Sequence, residues 1–126
     1  MPVPSDWPQQ IAAAGGAYWP LSLFNDEPFA EVFTFPGLDM TGAAFSGGVR
    51  AAFEESSAVL QAFTFTPVLI GSDTMVTVSI SEADVEALRS GFDPGAIETL
   101  FHNIKCTRAG STKLTYFAGE FKLQGA

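Results

Sequence analysis

The sequence has little of what covalent chemistry usually needs. Among 126 residues there is one cysteine, Cys106, and one histidine, His102. A lone cysteine excludes an internal disulfide framework and a paired-thiol metal site. It also fits a chain made in a reducing cytoplasm. Basic residues are nearly as scarce: six Lys and Arg stand against fourteen Asp and Glu, a net charge of −8. All six lie at or beyond Arg50 and no two are adjacent, whereas phosphate binding needs them clustered. Nucleic acid is therefore not an expected partner, and neither is an anionic membrane surface. No apolar run approaches the length that spans a bilayer. The N-terminus lacks a basic region and is broken by Pro2, Pro4 and Pro8, so no signal peptide is expected and the protein reads as soluble.

What is present is apolar and aromatic. Apolar residues make up 47% of the chain, with twelve Phe against two Tyr and two Trp. That composition belongs to a folded domain, and a chain of this length has room for one core. Phe brings large apolar area with no polar handle, which suits a sandwich interior or a dry interface. One core is not expected to hide twelve Phe, and surplus apolar surface marks an interface.

Residues 1–20 differ from the rest. Pro2, Pro4, Pro8 and Pro20 discourage regular structure, while Gln9 to Ala14 has room for a helical turn or two before Gly15-Gly16. Yet this segment holds both Trp, Trp7 and Trp19, and one of the two Tyr, Tyr18. Two readings follow: the rings fold back over the domain's own core, or the segment is an extended N-terminal arm that docks on a neighbouring subunit.

From residue 21 to 126 the pattern is that of an all-β domain of about seven strands. Leu21 to Phe24 runs into the turn cluster Asn25 to Pro28. Ala30 to Phe35 is a strand closed by Pro36-Gly37, and Ala44 to Phe53 is a strand whose Gly47-Gly48 pair predicts a bulge or a close backbone approach. After a turn at Glu54-Glu55-Ser56, Ala58 to Phe65 reads as one strand. Thr74 to Ile80 alternates, with Val76, Val78 and Ile80 on one face. Ser81 then caps a short helix whose acids Glu82 and Asp84 suit its dipole. Val85 and Leu88 face the sheets, joined by Ala83 or Ala87, and Gly91 and Pro94 end it. Strands over 97–107 and 112–123 close the domain as a hairpin about Ala109-Gly110-Ser111.

This order of features resembles a family of immunoglobulin-like modules in tailed-phage virions, typified by the N-terminal domain of baseplate upper proteins. The residues that carry the resemblance are Leu38-Asp39-Met40-Thr41-Gly42, Val49-Arg50-Ala51, Ala62-Phe63-Thr64-Phe65, Val76-Thr77-Val78-Ser79, Ser81 to Asp84 with Leu88, and the hairpin from Leu100 to Leu123. The resemblance implies an immunoglobulin-like β-sandwich and a non-enzymatic structural role in the virion, in tail, baseplate or fibre attachment. The family module is normally followed by a larger C-terminal region. A chain carrying the module alone is expected to be a small component: an adaptor, a fibre base or a capsid decoration protein. Its expected partners are other virion proteins and copies of itself, with no cofactor.

The candidates for chemistry read as structural. On an alternating strand His102 shares a face with Leu100, Ile104 and Cys106. A His102–Cys106 dyad would need a hydrogen bond, but four residues along one strand set them roughly 13 Å apart. The acids at Asp26-Glu27, Glu54-Glu55 and Glu82, Asp84 and Glu86 sit on turns and an exposed helix face, where solvated charge is the default. Calcium would need an Asp-x-Asp-x-Asp loop, which is missing. Gly47-Gly48 has no lysine or strand–helix context for phosphate. Arg50, beside the glycine pair, is expected to pair with an acid such as Glu120, or to reach a partner subunit. The expected partner contacts are Trp7, Tyr18, Trp19, Phe24, Arg50 and Tyr116. The alternative is a carbohydrate-binding or adhesin module, in which Trp7, Trp19 or Tyr116 stacks on a host-surface glycan.

Overall fold

The computed structural model describes residues 16–52, 57–110 and 114–126, with side chains from 17 and, after the last gap, from 116. Two antiparallel-dominated sheets face each other across one core. The smaller has the order β3-β7-β6, formed by Phe29–Phe35, Asp73–Ile80 and Thr64–Ile70. The larger has the order β1-β9-β8-β4-β5, with β2 also paired to β9. Its strands are Gly16–Tyr18 (β1), Leu21–Leu23 (β2), Ala44–Arg50 (β4), Val59–Ala62 (β5), Ile97–Thr107 (β8) and Leu114–Gln124 (β9). Among the described residues one helix, α1 (Glu82–Ser90), joins β7 to β8.

This is the immunoglobulin-like arrangement. β3, β7 and β6 hold the places of strands B, E and D, while β4, β8 and β9 hold those of C, F and G with β5 added beside C. β1 and β2 run parallel to β9 along the outer edge of that sheet. The core forms where inward registers meet. Val76, Val78 and Ile80 of β7 are at most 2% exposed, and they face Val49, Ile104, Cys106, Phe121 and Leu123, all fully buried. Burial of each such aliphatic or aromatic side chain stabilises the fold by about 1.5–3 kcal/mol.

The helix is capped as its sequence predicts: the Ser81 hydroxyl accepts from the Asp84 N–H, and Gly91 closes the C-terminus. Val85 and Leu88 are buried, but Ala83 and Ala87 are exposed, and the third buried residue is Arg89. Arg89 reaches over the end of the sandwich. Its guanidinium donates to Asp26 Oδ1 in the β2–β3 turn and to the carbonyl of Gln124, and its own carbonyl accepts from the Ala126 N–H. A planar cation with several donors ties three chain segments together there.

Three expectations are corrected. The stretch 58–65 is not one strand. It breaks at Phe63, which is 7% exposed, stacks on Phe29 and donates its N–H to the Gly47 carbonyl. The chain thereby leaves the larger sheet as β5 and enters the smaller one as β6. Secondly, the described residues form nine strands against about seven, because of this break and the added β1. Thirdly, the sandwich begins before residue 21: Gly16–Tyr18, assigned to the arm, is already a strand on β9. Trp7 and the rest of 1–15 lie outside the described residues, as do Phe53 to Ser56 and Ser111.

The glycine pair behaves as its sequence suggests. A Cβ on Gly47 (φ +146°) would lie 2.1 Å from the Asn103 carbonyl oxygen, and one on Gly48 would lie 2.4 Å from that of Gln61. Neighbouring backbones approach that closely only because both side chains are missing. The register also shifts between Val49 and Arg50.

Candidate interaction surface

Strand alternation decides which expected contact residues meet. The registers β4–β8–β9 line up three outward rows across the larger sheet: Ser46, Lys105 and Tyr116; Gly48, Asn103 and Ala118; Arg50, Phe101 and Glu120. Tyr18 of β1 stands beside Ala118 in the second row. Tyr18, Arg50 and Tyr116 are therefore on one face. Phe101 and Ala118 are 3% and 1% exposed in its middle, with Tyr18 and Tyr116 packed against them as a second apolar cluster outside the main core.

The polar groups of this face are held in place. Arg50 donates from Nε to Asn103 Oδ1 (3.0 Å) and from Nη1 to the Ser57 carbonyl (2.9 Å). Asn103 is itself buried, so the guanidinium is anchored on a fixed acceptor. Glu120, the acid that the sequence offered to Arg50, accepts a 2.6 Å hydrogen bond from Tyr18 Oη. Burial first, then that hydrogen bond and the carboxylate's charge, push the Tyr18 hydroxyl up to about 12. A hollow of about 310 Å³ lies between Arg50, Lys105, Asn103, Ser46 and Val59. A second, about 500 Å³ and shallower, lies between Pro20, Ser22, Phe24, Glu120 and Lys122. Phe24, 47% exposed, belongs to this second hollow.

Charge is sorted between faces. Arg50, Lys105 and Lys122 point outward from the larger sheet, half of the chain's six basic residues, and Glu120 is the one acid among the described residues of these rows. In a chain of net charge −8, a cationic, aromatic face is the exception. Tyr18, Arg50 and Tyr116 are expected from the sequence; Phe101, Asn103 and Lys105 join them only in the fold. The signal was available: if His102, Ile104 and Cys106 point inward, Phe101, Asn103 and Lys105 must point outward.

Trp19 goes the other way. Its ring lies between the sheets, edge-on to Phe33 (5.6 Å) and Phe117 (6.1 Å), half-buried against the main core. Tyr18 and Trp19 are neighbours in sequence, and a period of two sends them to opposite faces. The fold-back reading of the N-terminal aromatics holds for Trp19.

His102 lies in the interior, 2% exposed, between the rings of Trp19 and Phe63. Its Nε2 donates to the Trp19 carbonyl (2.5 Å), while buried Nδ1 has no partner among the described residues. Burial lowers its pKa to about 4, against the Trp19 hydrogen bond, which favours the charged form. Cys106 lies on the same inward register and is fully buried, which pushes its thiol up to about 12. A thiol held protonated in this way is no nucleophile at neutral pH.

The turn acids have structural partners: Asp26 pairs with Arg89, and Asp39 accepts from the N–H and hydroxyl of Thr41, which lowers its pKa. Among the described residues no three of His, Cys, Asp and Glu gather as a metal site would require.

Fold and surface together define an immunoglobulin-like β-sandwich with a cationic, aromatic outer face. No family model matches the chain, and no curated protein matches it in sequence. Solved structures superpose distantly. The M1 domain from titin is 8% identical over 86% of this chain and 91% of that one, with a TM-score of 0.38. AggA, the major subunit of aggregative adherence fimbriae type I from Escherichia coli, is 10% identical over 85% and 89%, with a TM-score of 0.32. A family 123 glycoside hydrolase from Clostridium perfringens is 11% identical over 86% of this chain but only 23% of that one, at 0.35. The fold assignment rests on strand order, which these superpositions do not strengthen.

Proposed function

We propose that this protein is a non-enzymatic structural component of a tailed-phage virion, acting through protein–protein assembly in tail, baseplate or fibre attachment. The observation that carries the assembly part is the outer face of the larger sheet. There Tyr18 and Tyr116, packed against buried Phe101, supply aromatic area, and Arg50, fixed by buried Asn103, supplies a preorganised cation. Buried aromatics and arginine dominate interface energetics, and a cationic face favours an acidic partner and speeds encounter with it. The virion part rests on the family resemblance of the motifs between Leu38 and Leu123. The partners are other virion proteins and copies of this chain, and the segment ahead of β1, which carries Trp7, is the second expected contact.

The test is to band phage particles from infected cells in a density gradient and identify their proteins by mass spectrometry. The chain is expected in the particle band at a fixed ratio to the major structural proteins. Its confinement to the soluble fraction would overturn the reading.

A further inference from the structure

The smaller sheet ends in two strands with unlike edges. β6 carries Pro67 at its centre. The β6–β7 hairpin closes on the pair Ile70–Asp73 about a two-residue turn, so its bonded pairs are Ile70–Asp73, Val68–Met75, Thr66–Thr77 and Thr64–Ser79. Pro67 falls between them, and its ring replaces an outward N–H. That is a common guard on an edge strand. By the same alternation Thr74, Val76, Val78 and Ile80 turn their amides toward β3, bonding Phe35, Phe33, Glu31 and Phe29. The N–H and C=O groups of Ala30, Val32 and Thr34 then point away from the sheet. β3 has no proline, no lysine and no bulge, and among the described residues it pairs with β7 alone.

The outer-face side chains beside this edge are uncharged, and Glu31, on the inward register, is the one charge on the strand. Ala30, Val32 and Thr34 lie on the outer face of the smaller sheet, in rows with Met75 and Val68 and with Thr77 and Thr66. Val32, Val68 and Met75 are 46%, 49% and 37% exposed. Asp73, at one end, is the one ionisable group of that face.

We propose that β3 is a self-pairing edge: two copies of this chain join antiparallel about Val32, fusing their smaller sheets into one of six strands. The occupant is a second copy because the edge is self-complementary. With Val32 opposite Val32, Ala30 stands opposite Thr34 on both sides of the two-fold axis, and the three residues exchange six backbone hydrogen bonds. Charge permits this partner and disfavours one slipped register. A chain of net charge −8 meets its own copy with least repulsion where charge is missing. Glu31, exposed although it shares the inward register of Phe29, Phe33 and Phe35, then falls opposite Phe33 of the other copy. A slip of two residues in one direction would set Glu31 opposite Glu31, so this acid disfavours that alternative.

The inference builds on the assembly reading and supplies one of its partners, but it is measured on the purified chain without particles, so either can fail alone. Sedimentation velocity from about 10 μM to about 1 mM, a range suited to a small edge interface, is expected to show the 13.4 kDa monomer passing to twice that mass. Val32→Lys and Val32→Glu each place like charges across the axis and are expected to weaken association at least about tenfold. Their equimolar mixture is expected to regain the dimer, and this rescue separates pairing at Val32 from damage to the fold. A wild-type chain that stays monomeric throughout would overturn the proposal, and so would a dimer that both variants leave intact.

Discussion

Gly119→Ala is expected to cost at least about 3 kcal/mol of folding stability, the upper end of what overpacking usually costs, and so a large part of a small domain's margin. A Cβ at this position would stand 2.3 Å from the Trp19 carbonyl oxygen and 2.7 Å from its carbon. That carbonyl has no room to retreat. The Trp19 N–H is bonded to the Ala118 carbonyl (2.9 Å), its oxygen accepts from His102 across the gap, and its ring is clamped between Phe33 and Phe117. The missing side chain of Gly119, directly opposite His102 in the β8–β9 register, is what lets the first strands cross β9 closely enough for that bond. Urea unfolding monitored by tryptophan fluorescence measures the loss. Gly42→Ala serves as the control, because its Cβ would meet only the Ala109 Cβ at 3.7 Å, and it is expected to change stability by less than about 1 kcal/mol. A Gly119→Ala protein as stable as the wild type would mean that β1 and β2 do not lie on β9 in this register.

The second large effect is a loss of stability in mild acid, centred on His102. Its folded pKa, about 4, lies below the 6.5 of an unperturbed histidine. Between those values the unfolded chain binds the proton and the folded chain does not, so stability rises with pH. The contribution is therefore complete above about pH 7, falls as pH drops through the window, and is gone below about pH 4. A displacement of this size corresponds to about 3 kcal/mol. The structural cause is Nδ1, buried with no partner among the described residues, so a proton there brings an uncompensated charge into the core. Wild type and His102→Gln, each unfolded in urea at pH 7.5 and pH 4.5, separate this histidine from the carboxylates. The wild type is expected to lose about 2–3 kcal/mol more than the variant over that interval. Equal losses would show that His102 is not held neutral in the fold.

Much of this architecture was legible because local signals agreed with it. The alternation of Val76, Val78 and Ile80, the Ser81 cap with its first-turn acids, and the glycine pair at 47–48 each point to one structure, and each occurs as read. The break at Phe63 was not legible, because Ala58 to Phe65 is apolar on both faces and periodicity cannot mark where such a run changes sheets. Arg89 was hidden for a different reason. A basic residue in a last helical turn satisfies the dipole whether exposed or buried, and only the fold brings Asp26 and Gln124 to it.

The Phe count misled in a useful way. The fold absorbs the rings more completely than one core was expected to, and Phe24 is the one exposed Phe among the described residues. Exposed apolar surface is carried instead by aliphatic residues of the edge strands and the smaller sheet's outer face. Of the six expected contacts, Tyr18, Arg50 and Tyr116 share one face, with Phe24 at its margin. Each had been singled out by chemistry, and only strand register brings them together.

The proposed contact with other virion proteins is the outer face of the larger sheet. Competitive incorporation tests it most directly. Particles are assembled with wild type and an Arg50→Glu, Lys105→Glu double variant supplied in equal amounts, and the ratio in banded particles is read by mass spectrometry. Both residues line the same hollow and neither is part of the main core. The double variant gives up the Arg50 bonds to Asn103 and Ser57, so it is expected to melt below the wild type yet remain folded at the assembly temperature, and to be depleted at least about tenfold in particles. Incorporation at parity, with the fold intact, would contradict the account.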